Sequence, residues 1–261
     1  MNFDKIYYSL NKINKYEIKL SKYGGYRGDQ ILLWKNCTGL NWKITKIILE
    51  QLKIINSKDI RDIFREKVEE NRELFDSPNT YFTSFGLKGK SGDVVLYDFS
   101  HTFKKYAKRI VNEWDIGKLP QGSTIIFFDD LIGTGSQSVE YIDEKINHII
   151  KPSFQCYLFS ICATSSGVKK LVDESNFKIL VGSIVDDLAL NMQCGIGDKE
   201  IEMVEKAGEC LKIDPFNKRL LLAFSYGIPN NSLPILWKDK YKYKDSKGSS
   251  QEWLALLPRS Y

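Results

Sequence analysis

The sequence predicts an α/β fold with a mainly parallel sheet and an N-terminal helical extension. From residue 80 onward, short apolar runs alternate with segments whose apolar residues recur every three or four positions. Such strand–helix alternation is typical of parallel sheets with right-handed crossovers. Residues 1–76 instead carry helical patterns without a sheet pattern. Because Pro78 then breaks the chain, we predict a helical extension over residues 1–78 and an α/β domain over residues 79–261.

The apolar patterns also give the order of the elements. In the N-terminal part, a helix face is predicted from Trp42 to Ile55, and Ser57 is expected to cap a second helix. Further along, strands are predicted at residues 80–87, 124–128, 155–162 and 178–185. Helices are predicted at residues 95–110, 136–150, 167–175 and 198–211. Each predicted strand is thus followed by a helix, as a parallel sheet requires.

The segment 125–138 has the composition of an anion-binding site. Its first four residues are apolar and predict a strand that is buried on both faces. Asp129 and Asp130 follow, at the end where open α/β sheets bind ligands. A turn of small and hydroxyl residues comes next, and it lets the backbone approach an anion closely. The helix that follows offers its N-terminus to a phosphate, and Ser136 or Ser138 is expected to cap it.

Over residues 125–136 this segment resembles the phosphoribosyl pyrophosphate (PRPP) motif of type I phosphoribosyltransferases. The resemblance implies a Rossmann-like, mainly parallel sheet of that kind. It implies that Asp129 and Asp130 are the catalytic acids and hold the ribose. It also implies that the phosphate is bound by Gly133, Thr134, Gly135, Ser136, Gln137 and Ser138. Gln137 departs from the family pattern, in which Thr is usual, but the backbone donors of the turn are expected to survive that change.

Two further segments fit the resemblance less specifically. In this family a short loop after an earlier strand binds the pyrophosphate. The residues at the corresponding position of this sequence are Lys88, Gly89, Lys90, Ser91 and Gly92. Lysines and glycines beside a helix start suit an anion, and a solvated basic turn is the alternative. Asp186 and Asp187 end the predicted strand 178–185. They are weaker candidates for binding the acceptor or a metal ion, and capping or turn formation is the alternative for them.

Composition and charge narrow the class of protein. The 261 residues carry a net charge of +5, which suits an anionic ligand but is far from the charge of a dedicated DNA-binding protein. No apolar run reaches the length of a membrane span, and no signal peptide is recognisable at the N-terminus. The five cysteines are scattered, which favours reduced thiols in a cytoplasmic protein. With two histidines and no clustered cysteines, a zinc site is not expected.

The resemblance implies a reaction at the ribose C1 carbon of PRPP, with Mg2+ as the cofactor and pyrophosphate as the leaving group. A glycosyltransferase or a related hydrolase is therefore expected. Many active family members have a long basic loop before the motif strand, whereas only residues 114–123 are available here. A non-catalytic sensor of PRPP or a nucleotide, or a regulatory partner subunit, is therefore the alternative. A third hypothesis is a nucleic-acid or protein-binding module built on the basic N-terminal helices, although acids are interspersed among their lysines and arginines.

The layout also resembles the phosphoribosyltransferase-like domains of bacterial conflict and antiviral systems, including retron-associated ones. Three segments carry this likeness: Tyr26, Arg27, Gly28 and Trp34 with the helices around them; residues 128–136; and residues 229–234 with Trp237. The likeness implies a defence effector that acts with a protein partner and meets nucleic acid only indirectly. It does not decide whether the protein forms a homo-oligomer. Residues 227–237 are interpreted as a packed, turn-rich connection, with a hood over the site as the alternative.

Overall fold

A computed structural model describes residues 14–24, 26, 29–185, 197–209, 211, 219–244 and 250–259. The chain divides into two compact units, and each is described by itself. The sheet unit comprises residues 57–186, and the two-segment unit comprises residues 1–56 together with residues 187–261. These compact units are divided after residues 56 and 186. This division does not test the domain boundary expected near residue 78, which stays a prediction.

The sheet unit is built on a four-stranded parallel sheet, which confirms the predicted α/β fold class. Its strands are β2 (Thr80–Ser84), β3 (Thr124–Ile132), β4 (Gln155–Thr164) and β5 (Lys178–Val185), which lie in the order β2-β3-β4-β5. The first strand of the chain, β1 (Lys53–Ile55), lies in the other unit. In the register of the central pair, Phe127 lies beside Leu158 and Asp129 lies beside Ser160. The first acid of the motif is therefore part of a central strand rather than of the turn after it.

Helices cover both faces of this sheet. They are α4 (Ser57–Glu70), α5 (Arg72–Asp76), α6 (Ser91–Thr102), α7 (Ser136–Glu144) and α8 (Ser165–Glu174), with 3-10 turns at Lys104–Arg109, Glu113–Lys118 and Ile146–His148. On one face the Phe128 ring packs 5.5 Å from the ring of Phe64 of α4. On the other face Phe127 packs 5.4 Å from Phe177. The uninterrupted apolar run before Asp129 is thus explained by burial on both sides of β3.

Several predicted boundaries in the sheet unit were wrong by a few residues. The motif strand extends beyond residue 128 to Ile132, because the backbone of Asp129 and of the next apolar residues continues to pair with β4. The helices expected at 95–110 and 136–150 end at Thr102 and Glu144, and 3-10 turns follow them. The spacing of apolar residues does not distinguish an α-helix from the 3-10 turns that follow it. Both helices were therefore predicted to be too long.

The two-segment unit draws its elements from both ends of the chain. Its N-terminal segment contains α1 (Asn14–Leu20), α2 (Gln30–Thr38), α3 (Trp42–Gln51) and β1 (Lys53–Ile55). Its C-terminal segment contains α9 (Asp198–Glu209), β6 (Leu222–Phe224), α10 (Pro234–Trp237), β7 (Tyr241–Lys244) and β8 (Ser250–Trp253). β1 and β6 pair in parallel, and β7 and β8 pair antiparallel. The expectation of a helix reaching Ile55 was wrong, because residues 53–55 form a strand.

The described part of residues 227–237 forms a packed connection, as interpreted from the sequence. Ser232 is buried and donates its hydroxyl to the Leu222 carbonyl at 2.6 Å, and Ile235 and Leu236 lie in the core of the two-segment unit. The Arg259 guanidinium stacks 3.8 Å from the Trp237 ring centroid. These contacts give the segment a structural role within its own unit.

Among the residues that the structure describes, no helix combines the length and the apolarity that crossing a membrane demands.

Candidate functional site

The candidate site lies at the carboxyl end of β3 in the sheet unit. Asp129 Oδ1 accepts hydrogen bonds from Ser91 Oγ at 3.2 Å and from the backbone N–H of Asp130 at 2.9 Å. Ser91 is the first residue of α6, so the structure brings the predicted pyrophosphate loop to the first motif acid. Both acids are partly buried. Two segments that are far apart in sequence therefore meet at the end of one parallel strand, where open α/β sheets place ligands.

Electrostatics at this position disfavour the ionised form of Asp129. Burial and the neighbouring Asp130 carboxylate raise the pKa of Asp129 well above its usual range. The hydrogen bonds from the Asp130 N–H and from Ser91 oppose this shift. A partly buried carboxyl group with a raised pKa beside a second acid is typical of a binding or catalytic site. A bound cation or a hydroxyl-rich ligand would relieve the unfavourable interaction between the two acids.

The loop before α6 is tightly turned. Gly86 and Gly89 have φ angles of 93° and 80°, and Gly89 donates its N–H to Asp93 Oδ2 at 2.5 Å. A Cβ at Gly92 would lie 2.3 Å from the Phe85 carbonyl oxygen, so only glycine fits there. Lys88 and Lys90 are exposed, and Lys88 Nζ lies 5.5 Å above the Trp114 ring. The loop thus presents two exposed lysines beside Ser91, which suit an anion, while its Gly89 and Lys90 N–H groups are donated to Asp93 and to the Leu87 carbonyl.

The predicted phosphate turn leads directly into α7. Gly135 has a φ angle of 79° and occupies the N-cap position, and the Val139 N–H donates to its carbonyl at 2.9 Å. The expected side-chain cap from Ser136 or Ser138 was therefore wrong, because glycine takes the capping position and Ser136 is already helical. The first turn of α7 also contains no acid. The first N–H groups of this helix are consequently available to an anion.

The start of α8 packs against this turn, which the sequence did not reveal. Thr164 Oγ1 donates to the Gly133 carbonyl at 2.5 Å and accepts from the Gly167 N–H at 3.0 Å. A Cβ at Gly167 would lie 2.0 Å from the Gly133 carbonyl oxygen, and one at Gly135 would lie 2.7 Å from the Gly167 carbonyl oxygen. From the same helix, Lys170 Nζ donates to Ser136 Oγ at 3.0 Å. The turn is therefore fixed from a second helix.

Tyr141 connects the loop after β2 to the segment before β3, and it was not predicted from the sequence. Its hydroxyl makes hydrogen bonds to the Gly86 carbonyl at 3.1 Å and to Glu113 Oε2 at 2.9 Å. Burial and the Glu113 carboxylate raise the pKa of Tyr141, so its hydroxyl keeps its proton at neutral pH. One side chain of α7 thus joins the loop after β2 to the segment before β3. Its spacing gave no signal for this position, because Tyr141 lies off the apolar stripe that contains Val139, Ile142 and Ile146.

Other predicted positions are less informative. Asp186 and Asp187 lie outside the described residues. Arg27 and Gly28, from the defence-system likeness, also lie outside them. Within the described ranges no group of three or more His, Cys, Asp and Glu side chains could hold a metal ion. This finding does not concern a metal ion held by one or two carboxylates together with a bound ligand.

The sequence identifies the class of this α/β protein as phosphoribosyltransferase-like. A family model described as PRTase-CE matches residues 43–259, which is most of the chain. The chain therefore belongs to the PRTase-CE family. A search among curated proteins found no match.

Among the solved structures to which this chain is weakly similar are three from different organisms. The AQ2163 protein from Aquifex aeolicus is 13% identical, with 62% of this chain and 91% of that chain covered and a TM-score of 0.36. Orotate phosphoribosyltransferase from Aeropyrum pernix is 13% identical, with 57% and 74% covered and a TM-score of 0.34. Adenine phosphoribosyltransferase from Trypanosoma brucei, in complex with AMP, pyrophosphate and ribose 5-phosphate, is 14% identical, with 54% and 68% covered and a TM-score of 0.34. The family assignment rests on the sequence model alone.

Proposed function

We propose that the sheet unit binds PRPP or a related ribose-phosphate nucleotide and transfers or cleaves at the ribose C1 carbon. The observation that carries this proposal is that two glycine-containing loops lie at the end of β3. The loop before α6 reaches Asp129 through the Ser91 hydrogen bond, and the Gly133–Gly135 turn follows β3 directly and begins α7. Membership of the PRTase-CE family supports the same class of ligand. The three parts of the ligand then have separate positions along the sheet end.

The two acids are assigned to the ribose. The oxygens of the carboxyl groups can accept hydrogen bonds from a vicinal pair of ribose hydroxyls. A negative charge on this acid pair would offset the positive charge that develops at C1 as the bond to the leaving group lengthens. The backbone N–H groups at the start of α7 are assigned to the 5-phosphate. Lys88, Lys90 and the N–H groups at the start of α6 are assigned to the pyrophosphate.

The residues at the site fit Mg2+ as the cofactor. Mg2+ is bound by one or two carboxylates together with substrate phosphates rather than by a full protein cage. Asp129 and Asp130 are such a pair, and a bound cation would offset the burial and the mutual repulsion that raise the pKa of Asp129. When bound, Mg2+ neutralises charge on the leaving pyrophosphate. The proposed role of these residues is to hold the ion and to orient the ribose.

We further propose that the protein serves in antiviral defence in the cytoplasm, together with a protein partner. The likeness to conflict-system and retron-associated domains supports this proposal. Residues 128–136 of this likeness lie in the candidate site. Trp34, from its first segment, is fully buried and donates its indole N–H to the Ile235 carbonyl at 2.6 Å, directly after residues 229–234 of its third segment. Cys37, Cys156 and Cys162 are free thiols, in keeping with a reducing compartment.

A non-catalytic PRPP or nucleotide sensor is the second candidate. The segment between α6 and β3 (residues 103–123) favours it, because two of its basic side chains are already paired within the protein. Lys105 Nζ donates to Asp76 Oδ1 at 2.7 Å, and the Arg109 guanidinium donates to the Phe75 carbonyl at 2.7 Å. Glu113 is also held by the Tyr141 hydroxyl at 2.9 Å, which fixes the segment. A fixed segment encloses a ligand less completely than a mobile loop does. Binding would then occur without turnover.

One experiment separates the two candidates. PRPP with Mg2+ is titrated by calorimetry into the wild type, Asp130→Asn and the control Asp173→Asn, which changes an exposed acid of α8. The same samples are then assayed for released pyrophosphate. We expect binding and release by the wild type and the control, and loss of both in Asp130→Asn with the unfolding temperature retained. Binding without release would favour the sensor, and no binding by the folded wild type would refute both candidates.

A further inference from the structure

The phosphate turn lacks a charged residue of its own. Residues 133–138 contain only small, hydroxyl and amide side chains. Backbone N–H groups alone bind phosphate through partial charges, whereas most tight phosphate sites add a full positive charge. The turn therefore lacks, within its own sequence, the charge that would favour a phosphate dianion.

Lys170 of α8 brings such a charge to the turn. Its Nζ donates to Ser136 Oγ at 3.0 Å, and Ser136 is the first residue of α7. Its Cβ would lie 3.3 Å from a Cβ placed at Gly135, so its stem passes along the turn. Its other partner is Glu174, at the longer distance of 4.0 Å. The ammonium group is thus held beside the first N–H groups of α7.

This position is electrostatically unfavourable in the free protein. The N-terminus of a helix carries a partial positive charge, and cations are favoured at the opposite end. The first turn of α7 has no acid to compensate. A lysine that donates to the first residue of such a helix therefore places two positive features side by side. An anion between them would convert both into favourable interactions.

The position of Lys170 is also well defined. Thr164, Gly133 and Gly167 lock the first turn of α8 against the phosphate turn, with a 2.5 Å hydrogen bond from Thr164 Oγ1 to the Gly133 carbonyl. The two glycine hydrogens allow a backbone approach that a side chain would prevent. Lys170 lies one helical turn after Gly167. Its distance from the turn is consequently set by rigid elements rather than by a loop.

We propose that Lys170 is a phosphate-binding residue, which supplies from α8 the positive charge that the β3–α7 turn lacks and makes the site specific for a phosphorylated ribose. This inference rests on the proposed function, since it assigns one further group to the same ligand. The phosphate is then held by two helices, through the N–H groups of α7 and the ammonium of α8. A side chain with its charge at this position favours the dianionic form of a phosphomonoester.

The test compares Lys170→Met, Lys170→Arg and Lys169→Met with the wild type. Lys169 is the exposed neighbour on the same helix and serves as the matched control. Affinities for ribose 5-phosphate and for PRPP with Mg2+ are measured by calorimetry at low and moderate salt. We expect Lys170→Met to weaken ribose 5-phosphate binding roughly 10- to 100-fold, the factor typical of a hydrogen bond to a charged group, and to flatten its salt dependence. Lys170→Arg keeps most of the affinity, and Lys169→Met resembles the wild type.

A structural role for Lys170 predicts a different result. If the lysine only supported the fold, Lys170→Met would lower the unfolding temperature, whereas we expect it unchanged or raised because a cation leaves a helix N-terminus. Wild-type affinity in Lys170→Met, or equal weakening in Lys169→Met, would overturn the inference while leaving PRPP binding established. Absence of binding by the wild type would overturn the proposed function and this inference with it.

Discussion

At the scale of single residues, Asp129 carries a conflict between stability and function. Its pKa in the folded protein is raised above the ordinary value of 3.8, chiefly by burial and then by Asp130. A raised folded-state pKa means that the protonated acid stabilises the fold. That contribution is present at acid pH and is lost as the pH rises through the folded-state pKa. At neutral pH the protein therefore retains an unfavourable group at this position, as functional sites often do.

Asp129→Asn is expected to stabilise the free protein. The neutral amide removes the cost of burying the Asp129 charge or of keeping its proton, and the repulsion with Asp130, so we expect the free energy of unfolding at neutral pH to rise by about 0.5–2 kcal/mol. The gain should shrink as the pH falls, because wild-type Asp129 then becomes protonated. Chemical denaturation across the acid-to-neutral range measures both effects. The same change in Asp173, which is exposed, provides the control. A gain that stayed constant with pH would contradict the assigned pKa.

The sequence predicted those candidate site residues that follow one another along the chain. Asp129 and the glycines of the turn follow one another along the chain, so their spacing alone indicated an anion site. Lys170 and Tyr141 were missed, because each reaches the site through packing between elements that are separate in sequence. A lysine three residues after a glycine on a helix has no distinctive signal. Their positions depend on the tertiary contacts of α7 and α8 and not on any motif.

At the scale of elements, the junction of α8 with the phosphate turn depends on Gly167. A Cβ there would lie 2.0 Å from the Gly133 carbonyl oxygen, so Gly167→Ala must move the helix away from the turn. We expect a loss of about 1–3 kcal/mol in the free energy of unfolding, typical of overpacking, and weaker PRPP binding. Gly117→Ala is the control, since its Cβ would meet the Ile149 carbonyl oxygen only at 3.4 Å. Thermal unfolding and calorimetry measure the two effects. Equal behaviour of the two variants would show that the close contact is unimportant.

Element prediction succeeded where burial imposed a pattern over several residues. β5 was predicted with its observed bounds, and β3 was recognised from an apolar run that is buried on both faces. β1 was missed, because three residues, Lys53–Ile55, are too few to show a strand period next to a helical pattern. Its partner β6 lies in the C-terminal segment. Long-range pairing of this kind is decided by tertiary structure and not by local preference.

At the scale of the whole molecule, the PRTase-CE match at residues 43–259 includes parts of both compact units. The two-segment unit has one core that combines both ends of the chain. Ile44 and Leu49 of α3 lie in the same buried cluster as Leu221 and Leu236 of the C-terminal segment. The elements on either side of the sheet unit in sequence are therefore not separate appendages.

Trp34 tests this account of the two-segment unit. The side chain is fully buried, and its indole N–H donates to the Ile235 carbonyl of α10 at 2.6 Å, which joins the two segments. Trp34→Phe removes that donor and leaves a buried carbonyl without it, so we expect a loss of about 1–3 kcal/mol. Trp114→Phe is the control, because Trp114 is 63% exposed and lies in the sheet unit. Urea unfolding followed by tryptophan fluorescence reports mainly on the two-segment unit, which contains the remaining Trp42, Trp237 and Trp253. A midpoint that is lowered in Trp34→Phe and unchanged in Trp114→Phe would support a single core made from both ends of the chain, and equal midpoints would contradict it.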